Sequence, residues 1–305
     1  MGKILIIGSS NTDLITTMKR FPAPGETIQG TGFFTAMGGK GANQAIAAYR
    51  SGGNVSFITS LGTDVNGRTT LDYYKQQGLD VSMSLITEVI PSGTAVIWVN
   101  ETGENCIVIT PGANNELKPE YILSLENAIR DSELIVMQME IPYETVCTVC
   151  KLAQKHGRSV MLNVAPARKI DKELLKAIEI LVVNETEAEA VTGARMNEDN
   201  IEEMADLLLA MGPKIALITL GDKGCFLKTG NEVHTSPAYK VSPVDTTAAG
   251  DTFCGAFAAE LLRGKSWEEI LQFASAAAAI SVTRMGAQPS IPEQNDIRKF
   301  INDNK

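Results

Sequence analysis

The chain of 305 residues is 44% apolar and 21% charged, which places it among ordinary folded proteins and outside the disordered class. A formal net charge of −9 speaks against a nucleic-acid or anionic-membrane partner, and no apolar run approaches the roughly eighteen residues of a membrane span. Five cysteines, an odd number scattered along a large chain, fit a reducing cytoplasm better than a disulfide framework.

The opening Lys3-Ile4-Leu5-Ile6-Ile7 is too short for a secretory signal and lacks a cleavage site, so it reads as a first strand. It runs into Gly8 and then Asn11-Thr12-Asp13, but the spacing G-x-G-x-x-G is absent, which weakens a dinucleotide reading. Closing an Asx turn is the ordinary use of such an Asp. Residues 14–37 carry Pro22, Pro24, Gly25, Gly30 and Gly32 between β-type residues and read as an excursion from the main fold. Gly38-Gly39-Lys40-Gly41-Ala42-Asn43-Gln44 then lets the backbone approach a ligand and opens a small-residue helix. The P-loop spacing fails here, and no hydroxyl follows Lys40 to hold a metal. Lys40 and Asn43 share one helix face and offer ammonium and amide groups suited to a polyhydroxylated ligand. A solvated, Gly-rich helix start is the plainer account.

Residues 94–99 and 106–109 flank a Gly-containing loop and predict a β-hairpin, a second small sheet able to pair with 14–37 as a flap. Regular βα alternation follows. Strands are predicted at 134–139, 159–164, 180–183 and 215–220, and helices at 118–131, 143–156, 185–192 and 199–211. These strands are continuously apolar, as expected when helices cover both sheet faces. A hairpin at 225–229 and 232–235 and helices near 250–263, 267–282 and 292–302 complete the chain. Cys147-x-x-Cys150 falls inside a helix whose apolar stripe is Val146, Val149, Cys150 and Ala153, so core packing is its expected role. The two histidines, His156 and His234, lie beside no ligand cluster, which leaves little material for a zinc site or a Ser-His-Asp triad.

Ligands of open α/β sheets bind beyond the carboxyl ends of the strands, which picks out Asp13, Glu140, Asn163, Asn184 and Thr219 to Gly221. Glu140 should be solvated or meet a hydroxyl or cation, because a buried unpaired carboxylate is costly. Asn184-Glu185-Thr186-Glu187 spells a capping box; the alternative is that Asn184 and Glu187 face phosphate and magnesium-bound water. The stretch from Asp245 to Ala256 sets two carboxylates around a run of small residues, just before a buried helix. Free N–H groups of Ala248, Ala249 and Gly250 at such a helix start favour an anion. Asp251 would then act on the anion's reaction partner, as a base for an attacking hydroxyl. A simple N-cap is the alternative.

Taken in order, Asn11-x-Asp13, the 38–44 run, Asn184 to Glu187 and Asp245-Thr246-Thr247-Ala248-Ala249-Gly250-Asp251-Thr252-Phe253 resemble the ribokinase family, the PfkB carbohydrate kinases. The likeness reaches Gly286-Ala287-Gln288-Pro289-Ser290, and the 38–44 form is closer to ribose kinases than to adenosine kinases or fructokinases. The resemblance implies an α/β fold with a doubly wound, mostly parallel sheet and helices on both faces, formed by residues 1–13, 38–90 and 113–305. A small β-sheet lid at 14–37 and 91–112 would cover it, and two subunits would pack through their lids as a homodimer. It implies ATP-dependent phosphorylation of D-ribose at its 5-hydroxyl, with Asp251 as base and the backbone of Ala248, Ala249 and Gly250 as anion hole. For the sugar it implies Asn11, Asp13, Gly39, Lys40, Asn43, Glu140 and Asp251, with Ala95 and Ile109 as apolar lid contacts. For ATP it implies Asn184, Gly250 and the loop holding Thr219, Gly221, Asp222, Lys223 and Gly224. A potassium ion would sit at the side chains of Asp245 and Ser290 and the carbonyls of Thr247, Ser281, Arg284 and Gly286, offsetting Asp245 beside the anion hole. Two departures stand out: Ser275 replaces a His common near the adenine, and Cys254 replaces an Asn. Ser275 cannot stack on a purine, so nucleotide preference is expected to differ. The rivals are a kinase for deoxyribose, another pentose or fructose, and a sensing module that kept the fold but needs no base.

Overall fold

Apolar runs of four or five residues become buried strands, and their order around the sheet fixes where a ligand can enter. The computed structural model describes residues 2–304. In chain order its strands are β1 (Lys3–Ile7), β2 (Asn11–Thr17), β3 (Gly32–Gly38), β4 (Asn54–Ile58), β5 (Ser60–Gly62), β6 (Leu85–Thr87) and β7 (Gly93–Val99). Then come β8 (Asn105–Thr110), β9 (Leu134–Met137), β10 (Ser159–Asn163), β11 (Ile180–Asn184), β12 (Ile215–Thr219), β13 (Cys225–Lys228) and β14 (Val233–Ser236). The main sheet runs β14-β13-β12-β11-β10-β9-β1-β4. Its pairs are parallel from β12 to β4, and β13 and β14 extend it as an antiparallel edge.

Side chains of β1 alternate between two cores. Ile4 and Ile6 face the helices Lys40–Arg50, Ala249–Leu261 and Trp267–Val282, while Leu5 and Ile7 face the helix Tyr143–His156. The stripe of Val146, Val149, Cys150 and Ala153 lies fully inside that second core. The chain leaves β1 toward β4 on one side and returns to β9 on the other, so the crevice for a ligand opens between the ends of β1 and β9. Gly8, Gln138 and Glu140 stand there.

The smaller sheet has the order β3-β2-β7-β8. Its β2 starts at Asn11, so Asn11 and Asp13 belong to this sheet, with Asp13 opposite Ala36 and Ala95. Three local departures from the sequence reading have simple causes. The predicted 118–131 helix is two pieces, Pro119–Ser124 and Glu126–Arg130, broken at Leu125 (φ −105°). The pair β5–β6 is three residues long on each side and the helix Lys172–Leu175 four, too short to carry a periodic signal. The helices Lys40–Arg50 and Ala249–Leu261 touch at Gly255, where a Cβ would lie 2.5 Å from the Gln44 carbonyl oxygen and 2.5 Å from Ala47 Cβ. Only glycine allows that approach.

Candidate active site

The turn after β1 delivers Ser9, and the residues after β9 deliver Glu140. Ser9 Oγ donates to Glu140 Oε2 at 2.6 Å, and the Lys40 N–H donates to the same oxygen at 3.0 Å. Glu140 thus places negative charge at the positive start of the Lys40 helix, a favourable position. Gly39 precedes that helix at φ 89°, and a Cβ on it would sit 2.8 Å from Asn11 N and Ser10 Cα. The close approach seats the helix start directly against β2. Asn114 braces the other side: its Nδ2 donates to Asn11 Oδ1 (2.8 Å) and its Oδ1 accepts from Ser10 N (2.9 Å).

Asp251 lies in the first turn of the Ala249 helix and is buried. Asn43 Nδ2 donates to its Oδ2 at 2.9 Å, and Gln44 Nε2 donates to its Oδ1 at 3.0 Å. Asp251 chiefly, with Glu140 and Glu187 adding to it, holds the Lys40 ammonium protonated beyond its usual range, against the opposing effect of burial. The Asp13 carboxyl is pushed up from 3.8 to about 7, first by burial and then by Glu140 and Asp251. Burial also raises Glu187. Asp13, Lys40, Asn43, Glu140 and Asp251 are therefore one electrostatic unit. Asn43 Oδ1 is buried with no hydrogen-bond partner, an acceptor left over for a ligand hydroxyl.

Beyond Asp251 a cavity of about 680 Å³ runs toward the ends of β11 and β12. Asn184, Thr219, Gly221, Asp222, Gly224, Gly250 and Ser275 line it, as does Ala249. Its walls also include Tyr239, Val241, Pro243, Phe253, Ala278, Ala279 and Val282, an apolar slot of the kind that holds a flat ring. Lys223 does not line the cavity; its ammonium pairs with Glu198 on the surface. Asn184 and Glu187 form both halves of the capping box, each at 2.8 Å. Capping uses one oxygen from each side chain, and Asn184 still borders the cavity.

A profile of the pfkB family carbohydrate kinases matches residues 1–294. The chain belongs to the PfkB carbohydrate kinases. The ribokinase of Haemophilus influenzae is 40% identical to it over 299 residues, covering 98% of each chain. The deoxyribokinase of Salmonella typhi is 36% identical over 305 residues, covering 99% of each. The structure of Arabidopsis thaliana ribokinase complexed with ribose and ATP matches with a TM-score of 0.93, at 34% identity over 98% of each chain. The fold is thus the ribokinase-like one: a mostly parallel α/β sheet with a small separate β-sheet.

In this PfkB kinase the smaller sheet presents Ala95, buried, opposite Asp13, and pairs it with Ile109, which is 46% exposed. Ala248 takes a left-handed conformation (φ 60°) just before the Ala249 helix, an uncommon and costly choice for a residue with a Cβ. The Ala249 N–H reaches back to the Thr246 carbonyl at 3.3 Å, which leaves Gly250 and Asp251 as the first-turn donors with no carbonyl behind them. Asp245 accepts from the N–H groups of Thr247 and Gly286, both at 2.9 Å, and its own N–H donates to the Val282 carbonyl at 3.1 Å. These bonds tie Asp245 to the end of the helix Trp267–Val282, which carries Ser281, and to the loop of Arg284 and Gly286 that follows it. Ser290, fully buried, closes that loop through Oγ to the Ala287 carbonyl at 2.7 Å.

Proposed function

We propose that this chain transfers the γ-phosphoryl group of ATP to the 5-hydroxyl of D-ribose, releasing ribose 5-phosphate and ADP. The place of Asp251 carries the reading: its buried carboxylate joins the polar cluster of Asn11, Asp13, Gly39, Lys40, Asn43 and Glu140 to the helix start bordering the cavity. The cluster takes the sugar hydroxyls, with Ala95 and Ile109 against its apolar edge. Asp251 takes the 5-hydroxyl proton as that oxygen attacks the γ-phosphorus and the bond to the β-phosphate oxygen breaks. Charge gathers on the transferring oxygens, and the N–H groups of Gly250 and Asp251 stabilise it, whereas that of Ala249, expected to join them, is turned to the Thr246 carbonyl. Asn184, Thr219, Gly221, Asp222, Gly224 and Ser275 belong to the nucleotide side.

The oxygens proposed for a potassium ion, the Asp245 carboxylate, the Ser290 hydroxyl and the carbonyls of Thr247, Ser281, Arg284 and Gly286, are hard donors carrying a single charge, which suits such a cation. Such an ion supplies a positive charge beside the anion hole. Magnesium takes few protein ligands and keeps its waters, and Glu187, with one oxygen in the capping box and the other spare, suits that outer role. A cytoplasmic setting is supported by all five cysteines being free.

ATP consumption measured without sugar, with D-ribose and across a panel of 2-deoxyribose, other pentoses and fructose tests the assignment. D-ribose is expected to give the highest kcat/KM. A preference for deoxyribose moves the chain to the activity named for its Salmonella relative, and ATP use indifferent to every sugar sinks the kinase reading. One face of the smaller sheet also leaves Phe33 and Val108 two-thirds exposed and Trp98 and Val96 partly so, an apolar surface suited to a second copy of the same sheet. Sedimentation velocity is expected to read a dimer that Phe33→Asp with Val108→Asp separates; a monomer at every concentration rules this packing out.

A further inference from the structure

Behind the sugar-facing cluster lies a set of buried amides that the reaction does not use directly. Gln44, Gln138 and Asn163 are 0%, 1% and 8% exposed, and burying them is costly unless their hydrogen bonds are made. Apart from Gln138 Oε1, which has no partner, those bonds form a chain with a direction. Asn163 Nδ2 donates to the backbone carbonyl of Val182 at 3.3 Å. A carbonyl can only accept, so Asn163 Oδ1 must face Gln44. Gln44 Nε2 donates to that oxygen at 3.1 Å, which turns Gln44 Oε1 toward Gln138 Nε2 at 2.7 Å. The second Nε2 proton then has one destination, Asp251 Oδ1 at 3.0 Å. Flipped, the Gln44 amide would set its oxygen against two other oxygens.

We infer that Gln44 is a positioning residue for Asp251, locked in one amide orientation by Asn163 and Gln138. It fixes Oδ1 while Asn43 fixes Oδ2 at 2.9 Å, so the plane of the carboxylate is set before the sugar arrives. Each carboxylate oxygen keeps a lone pair for the attacking hydroxyl. Preset geometry of this kind is worth a large factor in rate, since a displacement of about 1 Å can cost about 10²-fold. Asn43 and Gln44 divide the labour. Asn43 has a free acceptor in the sugar cluster, whereas Gln44 is enclosed and spends every donor and acceptor on protein.

The inference rests on Asp251 being the base, and a double-mutant cycle separates the two claims. Gln44→Met matches the length of the side chain without its donors. It is expected to lower kcat by about 10–100-fold, the size of a lost hydrogen bond to a charged group, with KM for ribose changed less than about threefold. In an Asp251→Asn background the same substitution should cost nothing further, because residues acting as a unit are not additive. Gln138→Met, two hydrogen bonds removed from Asp251, runs the same cycle with a smaller loss of about 2–10-fold and serves if Gln44→Met does not fold. Equal losses in both backgrounds, or a loss carried by KM alone, overturn the positioning role and leave Asp251 as base. Near-normal turnover of Asp251→Asn by itself overturns the base.

Discussion

Asp251→Asn is expected to yield a folded protein whose turnover of ribose falls by at least ~10²–10⁴-fold, the usual contribution of a general base. The substitution keeps shape and volume, so the contact between the Lys40 and Ala249 helices survives. One of the two donors facing Asp251, from Asn43 or Gln44, then meets an NH2 group instead of an oxygen, at a cost of about 1–3 kcal/mol. Removing a buried charge beside Glu140 and Asp13 acts in the opposite direction. Steady-state rates with a melting curve on the same sample separate the two effects: kcat should collapse while the melting temperature moves by a few degrees. KM for ribose should change far less than kcat, because the base acts on the transition state rather than on the bound sugar. Turnover within a few fold of the parent protein refutes the assignment.

Stability of the ligand-free protein is expected to fall as pH rises from about 5 to about 8, and Asp13 should account for much of the fall. Its carboxyl stands at about 7 in the folded protein and at its ordinary 3.8 when the chain unfolds. Between those values the native state holds a proton that the unfolded state has released. Unfolding free energy changes with pH as the protons bound in the unfolded state minus those in the native state, so the slope in this window is negative. A displacement from 3.8 to about 7 corresponds to on the order of 4 kcal/mol when fully developed, above pH 7. Glu187, raised by burial, adds to the same trend. Asp64 and Asp80, held low by hydrogen bonds from Ser92, Ser82 and Ser56 against the burial that would raise them, exert their effect at more acid pH and leave the window clear. Urea unfolding at pH 5 and pH 8 should therefore show a clear loss for the parent protein and a much smaller one for Asp13→Asn. Equal losses in both proteins show that Asp13 is not the group responsible.

The main sheet was legible because β9 to β12 are unbroken apolar runs, and a run buried on both faces needs no alternation to be recognised. Strand ends were legible for the same reason: Asn163, Asn184 and Thr219 are polar residues that stop such runs. The apolar wall of the cavity was not. Tyr239, Val241, Phe253 and Ala278 come from a loop and two helices, and nothing local marks an apolar residue as facing a ligand rather than a core. Lys223 shows the opposite failure. Its loop borders the cavity, but the side chain finds a surface carboxylate first. Gln44 sits inside the most conspicuous glycine-rich run of the chain, yet its partner Asp251 is 207 residues away, and only the packing of two helices reveals that they meet. Asp13 read as an Asx-turn residue at the end of the first core segment, 1–13. It turned out to lie on a strand of the smaller sheet, because β2 follows β1 after only three residues.

Gly255 gives these arrangements a common consequence. Where the two helices cross, backbone rests on backbone, so the spacing of the helices that carry Asp251 and its amide donors is set without a bulky side chain between them. Asn11, Asp13, Ala95 and Ile109 belong to a different sheet, joined to that helix pair where β3 runs through Gly39 into the Lys40 helix. The base and its amide donors thus sit on the helix pair, while the apolar edge of the proposed sugar site sits on the smaller sheet. Substitutions at Ala95 on β7 and Ile109 on β8 are expected to change which sugar is taken while Asp251 and its two amide donors keep their places.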